Sequence, residues 1–132
     1  MPENSKITVY VVDDDDSVRN ALNMLLQSAS MNVHTFKTGD MLLNSKLQEK
    51  GCCLISDVTM KGIDGFGLCK KLHAKGVDIP VVFLTAFDSQ EYRQHAREIG
   101  ASGYLTKPVD DQALIDAIHW AVTNREINII QD

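Results

Sequence analysis

The sequence predicts an α/β domain in which five strand–helix units build a parallel sheet with helices on both faces. Three observations predict it. Short apolar runs rich in β-branched residues alternate with segments of helical period along the chain. The links between them are short and punctuated by Gly, Pro, Asp and Ser. The apolar runs lack polar alternation, as expected of strands covered on both faces.

The first strand is read from about Lys6 to Val12, on the run Ile7-Thr8-Val9-Tyr10-Val11-Val12. Val18, Leu22, Leu25, Leu26 and Ala29 then recur at helical spacing, predicting a helix from about Asp15 to Ser30. Asn32 to Phe36 is a short second strand. Gly39 opens a helical stretch holding Met41, Leu42, Leu43 and Leu47, which Gly51 ends. Cys52 to Ser56 is a third buried strand, closed by Asp57. A loop from Val58 to Asp64 follows, with Gly62 and Gly65 as turn glycines. A third helix carries Phe66, Leu68, Cys69 and Leu72 and stops near Gly76. Val81 to Leu84 is the fourth strand, ending at Thr85. Ser89 caps a fourth helix that runs to about Ile99, with Gly100 in its C-terminal turn. Ser102 to Leu105 is the fifth strand, and Asp110 or Asp111 starts a last helix with Leu114, Ile115, Ile118, Trp120 and Val122.

At 132 residues the chain is read as one domain, residues 1–124, followed by a tail or the start of a linker at 125–132. Its net charge of −5, with no basic run longer than Lys70-Lys71, argues against nucleic-acid binding by this domain. No apolar stretch reaches the ~18 residues of a membrane span. The polar start, Met1 to Lys6, lacks a signal peptide's apolar core, so a cytoplasmic protein is expected. Three cysteines, two of them adjacent at Cys52-Cys53, suit reduced buried thiols better than a disulfide framework. His34, His73, His95 and His119 show no metal-ligand spacing.

Four consecutive aspartates, Asp13 to Asp16, join the first strand to the first helix. Asp15, Asp16 and Ser17 suit a helix N-terminus, which favours such caps and negative charge. A cap needs one or two such residues, which leaves Asp13 and Asp14 for another task. Two carboxylates at ~4 Å repel by about 4 kcal/mol at an effective dielectric of 20. A cation would offset that, and a hard divalent metal is the obvious candidate. By position, the strand ends bring Asp13, Asp14, Asp57, Thr85 and Lys107 to one sheet edge, where open α/β sheets bind ligands. Carboxylates can hold Mg²⁺ or attack phosphorus. An ammonium and a hydroxyl can stabilise a transferring phosphoryl group.

The stretches Val11-Val12-Asp13-Asp14-Asp15, Leu54-Ile55-Ser56-Asp57-Val58-Thr59-Met60, Asp64-Gly65, Phe83-Leu84-Thr85-Ala86 and Tyr104-Leu105-Thr106-Lys107-Pro108 stand in order, most of them at a strand end. In this the chain closely resembles the receiver domains of two-component response regulators, over about residues 6 to 122. The resemblance implies a flavodoxin-like, doubly wound (βα)5 sheet of strand order 2-1-3-4-5. It implies Asp57 as the phosphoacceptor, Asp14 as a direct Mg²⁺ ligand, and Asp13 as a neighbouring acid acting through metal-bound water. Asp57 also belongs to the metal set, and Thr59 would give it a backbone carbonyl. Thr85 and Lys107 would contact the phosphoryl group, and the Lys107-Pro108 peptide would be cis. Thr85 and Tyr104 would form the switch, changing the face of the fourth helix, fifth strand and fifth helix. That output face would include Tyr92, His95, Tyr104, Ile115 and His119. The implied partners are a sensor histidine kinase or phosphotransfer protein and a phosphorylation-dependent homodimer through that face. The implied role is signalling rather than turnover of a separate substrate, although the domain would promote its own phosphorylation and dephosphorylation.

One position departs from the family pattern: Lys61 stands where proline is usual. It would loosen the loop or place a second cation near the site, with a modest effect on metal affinity. Ala86 leaves the site open to a partner, and bulky Phe87 would hinder attacking water. Asp14-Asp15-Asp16-Ser17-Val18 also fits the D-x-D-x-[T/V] pattern of haloacid-dehalogenase-type phosphatases. That reading makes Asp14 the nucleophile and needs a second acidic pair at another strand end. Asp110-Asp111 instead opens a helix, and no cap domain is present. A flavin-binding flavodoxin-like protein is disfavoured, because no phosphate-cradling loop follows the first strand and four acids would repel the phosphate. The segment from His34 to Leu43 is similar to regulators whose output is a LuxR-type helix-turn-helix domain; a stand-alone phosphorelay receiver is the competing arrangement.

Overall fold

The computed structural model describes residues 6–124; the expected tail at 125–132 lies outside them. The elements are β1 (Thr8–Val12), α1 (Asp16–Ser28), β2 (Asn32–Phe36), α2 (Gly39–Leu43), β3 (Cys52–Ser56), α3 (Gly65–Ala74), β4 (Val81–Thr85), α4 (Gln90–Glu98), β5 (Gly103–Thr106) and α5 (Asp111–Thr123). All strand pairs are parallel, and the order is β2-β1-β3-β4-β5. This is the doubly wound topology expected from the sequence.

β1, β3 and β4 are buried at every position, which explains their unbroken apolar runs. Their side chains alternate between two cores. Tyr10, Val12, Leu54 and Phe83 meet Leu42, Phe66, Leu68 and Leu72 on one face. Val9, Val11, Ile55, Val82 and Leu84 meet Leu22, Leu26, Leu114 and Ile118 on the other. Each fully buried side chain of this size contributes about 1.5–3 kcal/mol, so both cores fix the sheet from which the site projects.

Two sequence expectations need correction. The second helix ends at Leu43, well short of Gly51. Beyond it the chain is polar, and the Ser45 hydroxyl donates to the Leu42 carbonyl, satisfying a helix end locally. Leu47 still packs on the core, and the Tyr10 hydroxyl accepts from the Gln48 amide to hold the connection. Gly65 is not a turn glycine. It opens α3, and a Cβ there would lie 2.3 Å from the Asp57 carbonyl oxygen. Gly62, with φ of +79°, is the true turn residue.

Candidate functional site

Register brings the predicted side chains together. Val12 pairs with Ser56, so Asp13 and Asp57 leave adjacent strands side by side. Thr85 pairs with Thr106, so Lys107 is the next residue on β5's side. The switch in strand order between β1 and β3 is where such sheets open a crevice.

Asp13 is 2% exposed and Asp57 7%. The Lys107 ammonium reaches between them, donating to Asp13 Oδ2 and to Asp57 Oδ2, each at 2.9 Å. The second Asp57 oxygen accepts from the Thr59 amide at 3.2 Å. The second Asp13 oxygen accepts from the Asp15 amide at 2.9 Å. Burial is the largest influence on Asp57 and holds its pKa above the ordinary carboxylate value, although the Lys107 bond and charge pull the other way. Burial also works against the Lys107 ammonium, but its bonds to Asp57 and Asp13 outweigh it and raise its pKa. The pair is therefore a desolvated carboxylate held beside a firmly charged cation, a poised arrangement for anion chemistry.

Asp14 has a different partner. Its Oδ2 accepts from the Lys61 amide at 3.0 Å, across 47 residues of chain. The Asp14 carboxylate, Asp13, Asp57 and the Thr59 carbonyl are hard oxygen donors of the kind Mg²⁺ prefers. Two buried carboxylates share one ammonium, which leaves a net negative charge that a divalent cation would offset. Among the described residues no three acidic, His or Cys side chains cage an ion by themselves.

Thr85 is fully buried, and its hydroxyl is bonded within its own turn. It accepts from the Phe87 amide at 3.1 Å and is 3.4 Å from the Phe87 carbonyl. Tyr104 is half-buried against the core, and its hydroxyl donates to Asp88 Oδ1 at 3.1 Å. Asp88 is gripped by both Nε and Nη2 of Arg93. The Lys107–Pro108 peptide is cis, as expected. Of the expected output face, Tyr92 and His95 both pack on the Phe66 ring, His95 stacked at 4.1 Å between centroids. Phe87 is 70% exposed.

Three contributors escaped the sequence reading. Arg19 donates to the Asp13 carbonyl at 2.8 Å while pairing with Asp16, one helical turn away; the i, i+3 spacing was the available signal. Asp88 as the partner of Tyr104 and the Lys61 amide as the partner of Asp14 had no local signal, since both bonds cross the fold.

A parallel sheet of this order with a buried Asp–Lys–Asp arrangement at its carboxyl edge defines a class: receiver modules of signalling proteins. The response regulator receiver domain family matches residues 9–119, and the chain belongs to that family, a phosphorylation-activated signalling domain of two-component response regulators. It is similar to the transcriptional regulatory protein TdiR of Thauera aromatica, 36% identical over 121 residues, which span 91% of this chain and 53% of the relative. The transcriptional regulatory protein FixJ of Azorhizobium caulinodans is 36% identical over 118 residues, 89% of this chain and 55% of the relative. Among solved structures, the response regulator StyR matches with a TM-score of 0.83 at 39% identity, covering 97% of this chain and 67% of that one. FixJ-N matches with a TM-score of 0.82 at 25% identity, covering 90% and 95%. The chain spans about half the length of the curated relatives it matches. The family generally uses Mg²⁺ and interacts with histidine kinases or phosphotransfer proteins.

Proposed function

We propose that Asp57 is the residue of this chain that accepts a phosphoryl group from a kinase or phosphotransfer phosphohistidine. The observation that carries this reading is the Lys107 ammonium bonded to both Asp13 and Asp57. A carboxylate oxygen of Asp57 attacks phosphorus and forms an O–P bond. The P–N bond of the phosphohistidine breaks, its electron pair returns to the imidazole nitrogen, and an acyl phosphate remains. Lys107 stabilises charge on the equatorial oxygens as they develop. Asp14, Asp13, Asp57 and the Thr59 carbonyl would hold Mg²⁺, which supplies further charge neutralisation at the phosphoryl oxygens when bound. With these groups in place the domain promotes its own phosphorylation and dephosphorylation.

The acyl phosphate adds roughly one negative charge and three acceptor oxygens beside Thr85 and Lys107. Thr85 gives up its bonds to Phe87 and turns its hydroxyl toward the new acceptor. Tyr104 leaves Asp88 and turns inward, and the α4–β5–α5 face changes shape. Moving a population from 1:99 to 99:1 takes about 5.5 kcal/mol, within reach of a few charge-assisted bonds in a partly buried site. The switched face would pair two copies of the chain. The setting is cytoplasmic, and the full-length protein would be a transcriptional regulator with this domain as its regulatory part; the curated relatives named above carry that description. The test is a ¹⁵N NMR titration with Mg²⁺ and beryllofluoride. Shifts concentrated at Thr85, Tyr92, His95 and Tyr104 are the expected result, and an unchanged α4–β5–α5 face would refute the switch.

A further inference from the structure

Lys61 reaches the site through its backbone, and the proposed chemistry gives that contact no task. Its amide donates to Asp14 Oδ2 at 3.0 Å, and this is the bond that holds the Asp14 side chain. The oxygens of the buried Asp13–Asp57 pair are instead occupied by Lys107 and the Thr59 and Asp15 amides. Lys61 lies three residues before Asp64, the N-cap of α3, and one before Gly62 with its positive φ. The amide is therefore delivered by a loop anchored at both ends, at Asp57 and at α3. A carboxylate has about four lone-pair sites, so one amide bond fixes its rotamer and leaves the other oxygen free for a cation.

We infer that the backbone N–H of Lys61 is a positioning group that orients Asp14 for the divalent cation, and that the ammonium of Lys61 is not needed for this. The inference rests on the proposed role of Asp14 as a Mg²⁺ ligand. Partners of this type, bonded to a ligand rather than to the metal, commonly tune affinity. The residue type matters for a simple reason: proline at position 61 has no N–H to give. Lysine therefore ties the loop to the acid rather than loosening it.

The test is Mg²⁺ binding by calorimetry to the full chain and to Lys61→Pro and Lys61→Ala, with thermal unfolding of each. Lys61→Pro should weaken Mg²⁺ about fivefold, the scale of one net hydrogen bond. Lys61→Ala keeps the N–H and should stay within about twofold, because the exposed ammonium is screened. Equal loss in both variants, or no loss in Lys61→Pro, overturns the inference while the proposed function stands. No Mg²⁺ uptake by the wild type sinks both. A second measurement does not depend on the proline variant folding: in Asp14→Ala the Lys61 amide proton should move upfield, and an unmoved resonance contradicts the bond.

Discussion

Asp57 carries its charge under strain from its surroundings, and that gives a direct prediction. Its pKa lies above the ordinary carboxylate value chiefly because of burial. Between pH 3.8 and the raised folded value the native state binds more protons than the unfolded chain, so stability falls as pH rises through that window. Asp57→Asn removes the slope and should raise the urea midpoint at neutral pH; a lower midpoint would contradict the burial argument. Tyr104 obeys the same sign. Burial first, then the bond to Asp88, holds its phenol above the usual value of 10.0. Stability from this group is present below pH 10.0 and lost as pH climbs through the higher folded value. Asp88→Ala should bring the Tyr104 titration back toward the ordinary value, read as the ultraviolet difference from Tyr104→Phe. The convergence of Asp13, Asp57 and Lys107 is legible because each directly follows a strand. The Tyr104–Asp88–Arg93 group is not, because no run or period marks a surface hydrogen bond.

Three of the five helix starts are marked in the sequence by a short polar side chain before an apolar period, and Thr38 and Asp64 are caps that the structure adds. Asp15, Thr38, Asp64, Ser89 and Asp110 each accept from the amide three residues on. From the sequence, Asp15, Asp16 and Ser17 share the first helix start, Ser89 caps the fourth helix, and either Asp110 or Asp111 starts the last. Replacing Asp15 with Ala should cost about 1 kcal/mol, seen as a drop of about 4 °C in Tm. Helix ends were less legible. α2 stops early because Ser45 satisfies the Leu42 carbonyl, a choice that apolar spacing through Leu47 does not report. The opening of α3 matters more for the site. Gly65 donates its amide to the Val58 carbonyl at 2.8 Å and lies against Asp57. Gly65→Ala must displace either the helix or the Asp57 backbone, so it should destabilise by about 1–3 kcal/mol and lower the phosphorylation rate as well. Loss of stability with an unchanged rate would separate the helix from the site.

The whole molecule reads as one sheet whose two cores are filled almost without polar exceptions, and whose polar exceptions sit at one edge. Among the described residues the buried polar ones are Thr8, Asp13, Ser56, Asp57 and Thr85, and the last four lie at the carboxyl ends of β1, β3 and β4. Fold and site were legible together for that reason: the same strand ends that close the apolar runs carry the chemistry. What the sequence withheld was the orientation of side chains with two possible neighbours. The Thr85 hydroxyl accepts from the Phe87 amide, and the Asp14 carboxylate accepts from the Lys61 amide. The most direct test of the account is the intact mass of the wild type and of Asp57→Asn after incubation with Mg²⁺ and acetyl phosphate. The account predicts one added phosphoryl group in the wild type and none in the variant. A phosphoryl group that persists in Asp57→Asn would move the nucleophile elsewhere, to Asp14 first, and contradict the central claim.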